Sequence, residues 1–108
     1  MQTLVQVVCS KGKSLRDVIT SDKKLADFGL ATHKKHQPGR QHGWAKIRST
    51  EAGRQGALNI EWDGDTSILL CRVVNRGAGR PNRVLGDFVD YLFQYHRRRI
   101  EAVNIIPR

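Results

Sequence analysis

The chain predicts an α+β domain: a mostly antiparallel sheet of about five strands, one main C-terminal helix packed on it, and a weaker N-terminal helical segment. Two observations predict this. Three strand-like runs between residues 44 and 75 follow one another with only short turns between them, as antiparallel neighbours do. One stretch, residues 82–97, instead repeats its apolar side chains with the helical period. With 108 residues and 39% hydrophobic content, the chain supports a single domain with one modest core. A domain of this size leaves much surface unburied, so a homodimer or higher oligomer is expected.

The elements follow in order. Leu4-Val5-Gln6-Val7-Val8-Cys9 is rich in β-branched residues and reads as a strand. Ser14 is placed to cap a short helix running through Thr20, with Asp17 at the third helical position of a capping box. Ser21 is placed to cap a second helical turn reaching Leu30, interrupted by Gly29. Residues 32–43 have no periodicity and almost no apolar content, and read as a basic, mobile loop. Residues 44–49 alternate, with Trp44, Lys46 and Arg48 on one face and Ala45 and Ile47 on the other. Residues 57–62 alternate in the same way, and Asp63-Gly64-Asp65 marks a hairpin turn. Residues 67–75 are almost continuously apolar, which suits a strand buried on both faces or one at an oligomer contact. In the long helix Leu85, Phe88, Val89, Leu92 and Tyr95 form the core stripe, and Pro81 suits its first turn. Residues 100–106 form a last strand, stopped by Pro107.

Charge is the strongest functional signal. Nineteen Lys and Arg against ten Asp and Glu give a net charge of +9, which draws the protein toward polyanions. The charge is segmented. Residues 31–50 hold Lys34, Lys35, Arg40, Lys46 and Arg48 with no acid, and residues 71–108 hold eight arginines against three acids. Nucleic acid is the expected partner class. Lys34, Lys35, Arg40, Lys46, Arg48, Arg97 and Arg98 would take phosphates, and Trp44 would stack a base. Within the loop Asn75–Arg83, Gly77 and Gly79 let backbone N–H groups converge at a helix start, and Arg76, Arg80 and Arg83 stand ready to clamp an anion. An alternative reading makes this an oligomeric small-ligand or enzyme-like domain, with an anionic ligand at that loop. Another makes it a protein-interaction module displaying Tyr91 or Phe93.

No catalytic constellation emerges, and no cofactor or metal is expected. His33, His36 and His42 share a cationic segment without a nearby acid or thiol, a poor environment for a cation. Glu61, Asp63 and Asp65 cluster at a turn, where Asp serves backbone geometry. Lys24-Leu25-Ala26-Asp27-Phe28-Gly29-Leu30-Ala31 resembles the magnesium-binding segment of protein kinases, but the other kinase motifs are missing and the chain is too short for that fold. Residues 8–14 look like the tail of a phosphate-binding P-loop, yet Val7 stands where the motif needs its first glycine. Gly77-x-Gly79 lacks the third glycine of a dinucleotide fingerprint, since Asn82 stands there. Cys9 and Cys71 read as buried free thiols, with a disulfide between adjacent strands as the alternative. No apolar run spans a bilayer and the N-terminus lacks a signal-type apolar segment, so no membrane partner and a cytoplasmic location are expected.

Overall fold

The structure is a computed structural model that describes residues 3–35, 38–39, 43–51, 56–74 and 81–107, with Lys34 as backbone only. Along the chain run β1 (Leu4–Cys9), α1 (Leu15–Thr20), a 3₁₀ helix (Lys23–Phe28), β2 (Leu30–Lys34), β3 (Trp44–Ser49), β4 (Ala57–Asp63), β5 (Ile68–Val74), α2 (Pro81–Tyr95), a 3₁₀ turn (Arg97–Arg99) and β6 (Ile100–Ile106). The six strands form one antiparallel sheet in the order β2-β3-β4-β5-β1-β6. The α+β class is therefore as the sequence predicts, with one strand more than expected.

The extra strand is β2. It takes the first residues of the stretch expected to be a basic loop and pairs Leu30 with Ser49 and Ala31 with Arg48. The second helical turn starts later than Ser21 suggests. Asp22 is its N-cap, accepting from the Lys24 N–H at 3.0 Å, and Gly29 ends it in the left-handed conformation at φ 68°. The first cap is as expected: the Ser14 hydroxyl accepts from the Asp17 N–H at 3.3 Å.

Register sorts the sheet into two faces. Val5, Val7, Ala45, Ile47, Leu58, Ile60, Leu69, Cys71 and Val73 point to the helical side. There they meet Leu15 and Ile19 of α1, Leu25 of the 3₁₀ helix, and Val84, Leu85, Phe88, Tyr91 and Leu92 of α2. This one cluster is the core, and burying each large side chain in it is worth about 1.5–3 kcal/mol. β5 departs from the expectation of burial on both faces. Its pattern alternates, with Leu69, Cys71 and Val73 buried and Leu70 and Arg72 exposed. The disulfide alternative also falls away. Both thiols are free, and Cys71 stands opposite Val5 in the ladder. Burial pushes both thiols above their ordinary range, so they stay protonated. No helix among the described residues is long and apolar enough to cross a membrane.

Candidate functional site

The second face of the sheet carries no helix among the described residues, and the register gives its side chains row by row. One row runs Lys46 (β3), Asn59 (β4), Arg72 (β5), Leu4 (β1), Ile106 (β6). The next row toward the sheet end places Arg48 beside Ala57 and Val74. The row on the other side reads Trp44, Glu61, Leu70, Gln6, Asn104. This face is not uncovered throughout, since Trp44 and Ala57 on it are buried, and it divides in two. Its β3–β5 half is cationic at one end, and its β5–β1–β6 half is apolar through Leu4, Leu70, Ile68, Val8 and Ile106.

Lys46 and Arg72 flank Asn59 two strand spacings apart, about 10 Å between backbones. Arg48 and Arg72 are exposed, and Lys46 is half-buried. The Asn59 side-chain oxygen between them is buried without a hydrogen-bond partner among the described residues. Arg72 was missed by sequence reasoning, which took residues 67–75 as one apolar run. The missed signal is that a single arginine inside such a run marks which alternate positions face water.

The start of α2 lies at this same end of the sheet. β5 finishes at Val74, paired through Ala57 to Arg48, and the Gly56 backbone lies against both the Val74 carbonyl and Pro81, the first residue of α2. Arg83, exposed in the first turn of α2, belongs to this end. Arg76, Gly77, Gly79 and Arg80 lie outside the described residues, as do Arg40, His36 and His42.

Arg97 and Arg98 are not brought to the cluster. They are exposed where α2 ends and β6 begins, and β5 runs from that end of the sheet to the other across seven residues, about 20 Å. They border an open groove of about 560 Å³ formed by Phe93, Gln94, Tyr95 and His96, with Arg97 5.7 Å from the Phe93 ring. The third arginine is structural. Arg99 donates to the Lys13 carbonyl at 2.9 Å and the Ser10 carbonyl at 3.0 Å, pinning the loop that resembles a P-loop tail.

Trp44 is corrected. It is 2% exposed, so it offers no stacking face. Its carbonyl accepts from Arg16 Nε at 3.1 Å and Nη2 at 2.9 Å, and the same Nη2 donates to the Lys35 carbonyl. Buried Arg16 therefore ties the chain just after β2 to the first residue of β3. Lys35 is exposed and carries its charge beside this clamp.

A second polar constellation joins the buried Tyr91 to the half-buried Asp22 and His96. The Tyr91 hydroxyl donates to Asp22 Oδ2 at 2.8 Å, and His96 Nε2 lies 2.8 Å from the same hydroxyl and 3.6 Å from Asp22 Oδ2. With the tyrosine proton committed to Asp22, His96 Nε2 must carry the hydrogen it shares with Tyr91. Burial and the Asp22 carboxylate hold the phenol well above its ordinary range. Burial pulls His96 down, outweighing the attraction of Asp22. Burial pushes Asp22 up, but the Lys24 N–H, the Tyr91 hydroxyl, His96 and Lys24 together bring it below the usual carboxylate value. Tyr91 is fully buried, so the expectation that it could be displayed to a partner is overturned, while Phe93 is exposed.

Among the described residues no group of His, Cys, Asp and Glu is arranged to hold a metal ion. A shallow cleft of about 270 Å³ lies between the 3₁₀ helix and β2, lined by Thr20, Asp22, Leu25, Ala31 and Thr32. It is not at the start of α2, where an anionic ligand was expected. Compared with known protein families, characterised proteins and solved structures, the chain finds no match.

Proposed function

We propose that this protein is a small, non-catalytic module that binds nucleic acid or another polyanion across the cationic end of its open sheet face. The observation that carries the reading is the row Lys46–Asn59–Arg72 with Arg48 beside it and the α2 start at the same end. Two basic segments far apart in sequence meet there, as a polyanion track requires. Lys46, Arg48 and Arg72 would take phosphates on this face, and Arg83, at the same end on the helix side of the sheet, would extend the contact around that end. Arg76 and Arg80 are further candidates for phosphate by their sequence alone. Arg97 and Arg98 are outside this track, and Trp44 has no stacking role in it. In the Asp22–Tyr91–His96 group the central hydroxyl is buried, and its hydrogen bonds hold the 3₁₀ helix to the end of α2.

A salt titration of binding to short single- and double-stranded DNA and RNA tests the proposal. The expected result is an affinity that falls steeply with salt, log K against log salt sloping by about −0.7 to −0.9 for each phosphate engaged. Absence of binding at moderate salt to all four nucleic acids and to heparin would refute it.

A further inference from the structure

The two lateral edges of the sheet are built differently. β2 is five residues long, shifts register between Thr32 and Lys34, and leads into Lys35. A short, irregular, lysine-bearing strand is how an edge is protected against pairing with another chain. β6, at the other edge, has seven residues and reads Ile-Glu-Ala-Val-Asn-Ile-Ile, with Glu101 as its one charge. Ile105 is 50% exposed and Ile106 37% exposed. A long apolar edge of this kind is a template for another strand.

Backbone direction follows from the hydrogen bonds of β1. The Val73 N–H donates to the Thr3 carbonyl, and the Cys9 N–H donates to the Ser67 carbonyl. Odd-numbered residues of β1 therefore turn their backbone groups to β5, and Leu4, Gln6 and Val8 turn theirs to β6. There they face Ile106, Asn104 and Ala102. Val103 and Ile105 consequently aim N–H and C=O outward, where no described strand lies.

We infer that a second copy of this chain occupies this edge, β6 pairing antiparallel with β6 about a two-fold axis to join two sheets into one. Charge placement decides for a second copy and for this direction. The net charge of +9 opposes self-association wherever cations meet. Across the β6 edge the Arg72 side chains of two copies stand five strand spacings apart, about 24 Å, several screening lengths at physiological salt. Arg97 and Arg98 precede β6, so antiparallel pairing sends the two sets to opposite ends, whereas parallel pairing would stack them. At the β2 edge the Lys46 and Arg48 strands of two copies would instead stand only three strand spacings apart, about 14 Å, bringing the cationic end of each sheet toward the other. Pairing at β6 also makes the apolar half of the open face, Leu4 through Ile106, continuous across the axis. The inference is independent of the polyanion reading.

Light scattering behind size exclusion, over a concentration series, tests it with Ile105→Pro and Ile105→Lys. Because the Ile105 N–H points away from β1, proline there removes an outward donor and no bond of the protomer's own ladder. The expected result is a dimer for the natural chain, and a monomer with the same circular dichroism for Ile105→Pro. If the proline variant unfolds, the lysine variant decides, since a charge on the edge blocks pairing without touching the backbone. The Val103 amide should exchange slowly in the dimer and fast in both variants, and the residue-105 amide should exchange slowly in the natural chain and fast in Ile105→Lys. A natural chain that stays monomeric at every concentration, or a dimer that survives both substitutions, would overturn the inference. A monomer would leave that edge to a strand of a different protein.

Discussion

The Asp22–Tyr91–His96 group makes the clearest statement at the scale of single residues. It joins the N-cap of the 3₁₀ helix to the end of α2 across a sequence separation of 69, so every change of protonation acts on the packing of two elements. The signs follow from the directions of the shifts. His96 is held below its ordinary value of 6.5, so as pH falls through that value the unfolded chain takes up protons before the folded one and stability drops. Asp22 is also lowered, so its contribution is present above the unfolded carboxylate value and is lost as pH falls through the folded one. Thermal melting should therefore show a falling midpoint between about pH 7 and pH 5, steepening below about pH 4. His96→Gln should remove the first part of that fall and leave the second. Tyr91→Phe should cost about 1–3 kcal/mol, because it removes the buried hydroxyl that donates to Asp22 and partners His96. Chemical denaturation measures that cost; an unchanged midpoint would show that water replaces the hydroxyl. Arg16 is the other residue whose loss should be felt. Arg16→Met keeps the apolar stem but leaves the Trp44 and Lys35 carbonyls without their donor, at a cost of about 2–3 kcal/mol. Arg16→Lys should recover only part of it, because one ammonium does not reproduce the guanidinium fork.

Among the elements, the 3₁₀ helix shows why a local motif misleads. Asp27-Phe28-Gly29 matches a kinase triplet by letter, but its geometry is that of a helix end. The Gly29 N–H donates back to the Ala26 carbonyl at 3.1 Å, and the Gly29 carbonyl accepts from the Thr50 N–H at 2.7 Å. A side chain at Gly29 meets two obstacles: φ at 68° and the Glu51 carboxylate, 2.8 Å from the position of a Cβ. Gly29→Ala should lower stability by about 1–2 kcal/mol, the left-handed penalty. Adding Glu51→Ala should recover only what the contact costs, so equilibrium unfolding of the single and double variants separates strain from crowding. Legibility followed period and composition. β1, β3, β4, β6 and α2 carry strong alternation or a helical stripe, and their positions were readable to within a residue or two. β2 was not, because Leu30-Ala31-Thr32-His33-Lys34 has no clean alternation and pairs only because β3 offers it an edge. Tyr91 was misplaced as a displayed residue although it follows Phe88 by three and Val84 by seven, which is the core stripe. Arg16 and Asp22 could not have been found, since their partners are set by tertiary contacts alone.

Over the whole molecule the question is where a charge of +9 sits. The register answers it for the sheet: Lys46, Arg48 and Arg72 lie at one end of the open face, Arg97 and Arg98 lie at the other end of the sheet, and the apolar half reaches β6 between and beyond them. A diffuse surface charge and a built track make opposite predictions for equal changes in net charge. Lys46→Glu with Arg72→Glu and Arg97→Glu with Arg98→Glu each lower the charge by four. Under diffuse attraction both doubles should weaken nucleic-acid binding alike. Under the track they differ. The first double should weaken binding by tenfold or more and flatten the salt slope by about 1.4–1.8, the share of two phosphates. The second should leave the slope within error and change only the rate of encounter, since distant charge steers without contacting. All four side chains are solvent-facing or half-buried, so circular dichroism should report an unchanged fold in both. Titrations of the two doubles side by side at several salt concentrations therefore decide between a protein that is merely basic and one that presents a binding face. Equal losses would put the charge down to general surface chemistry.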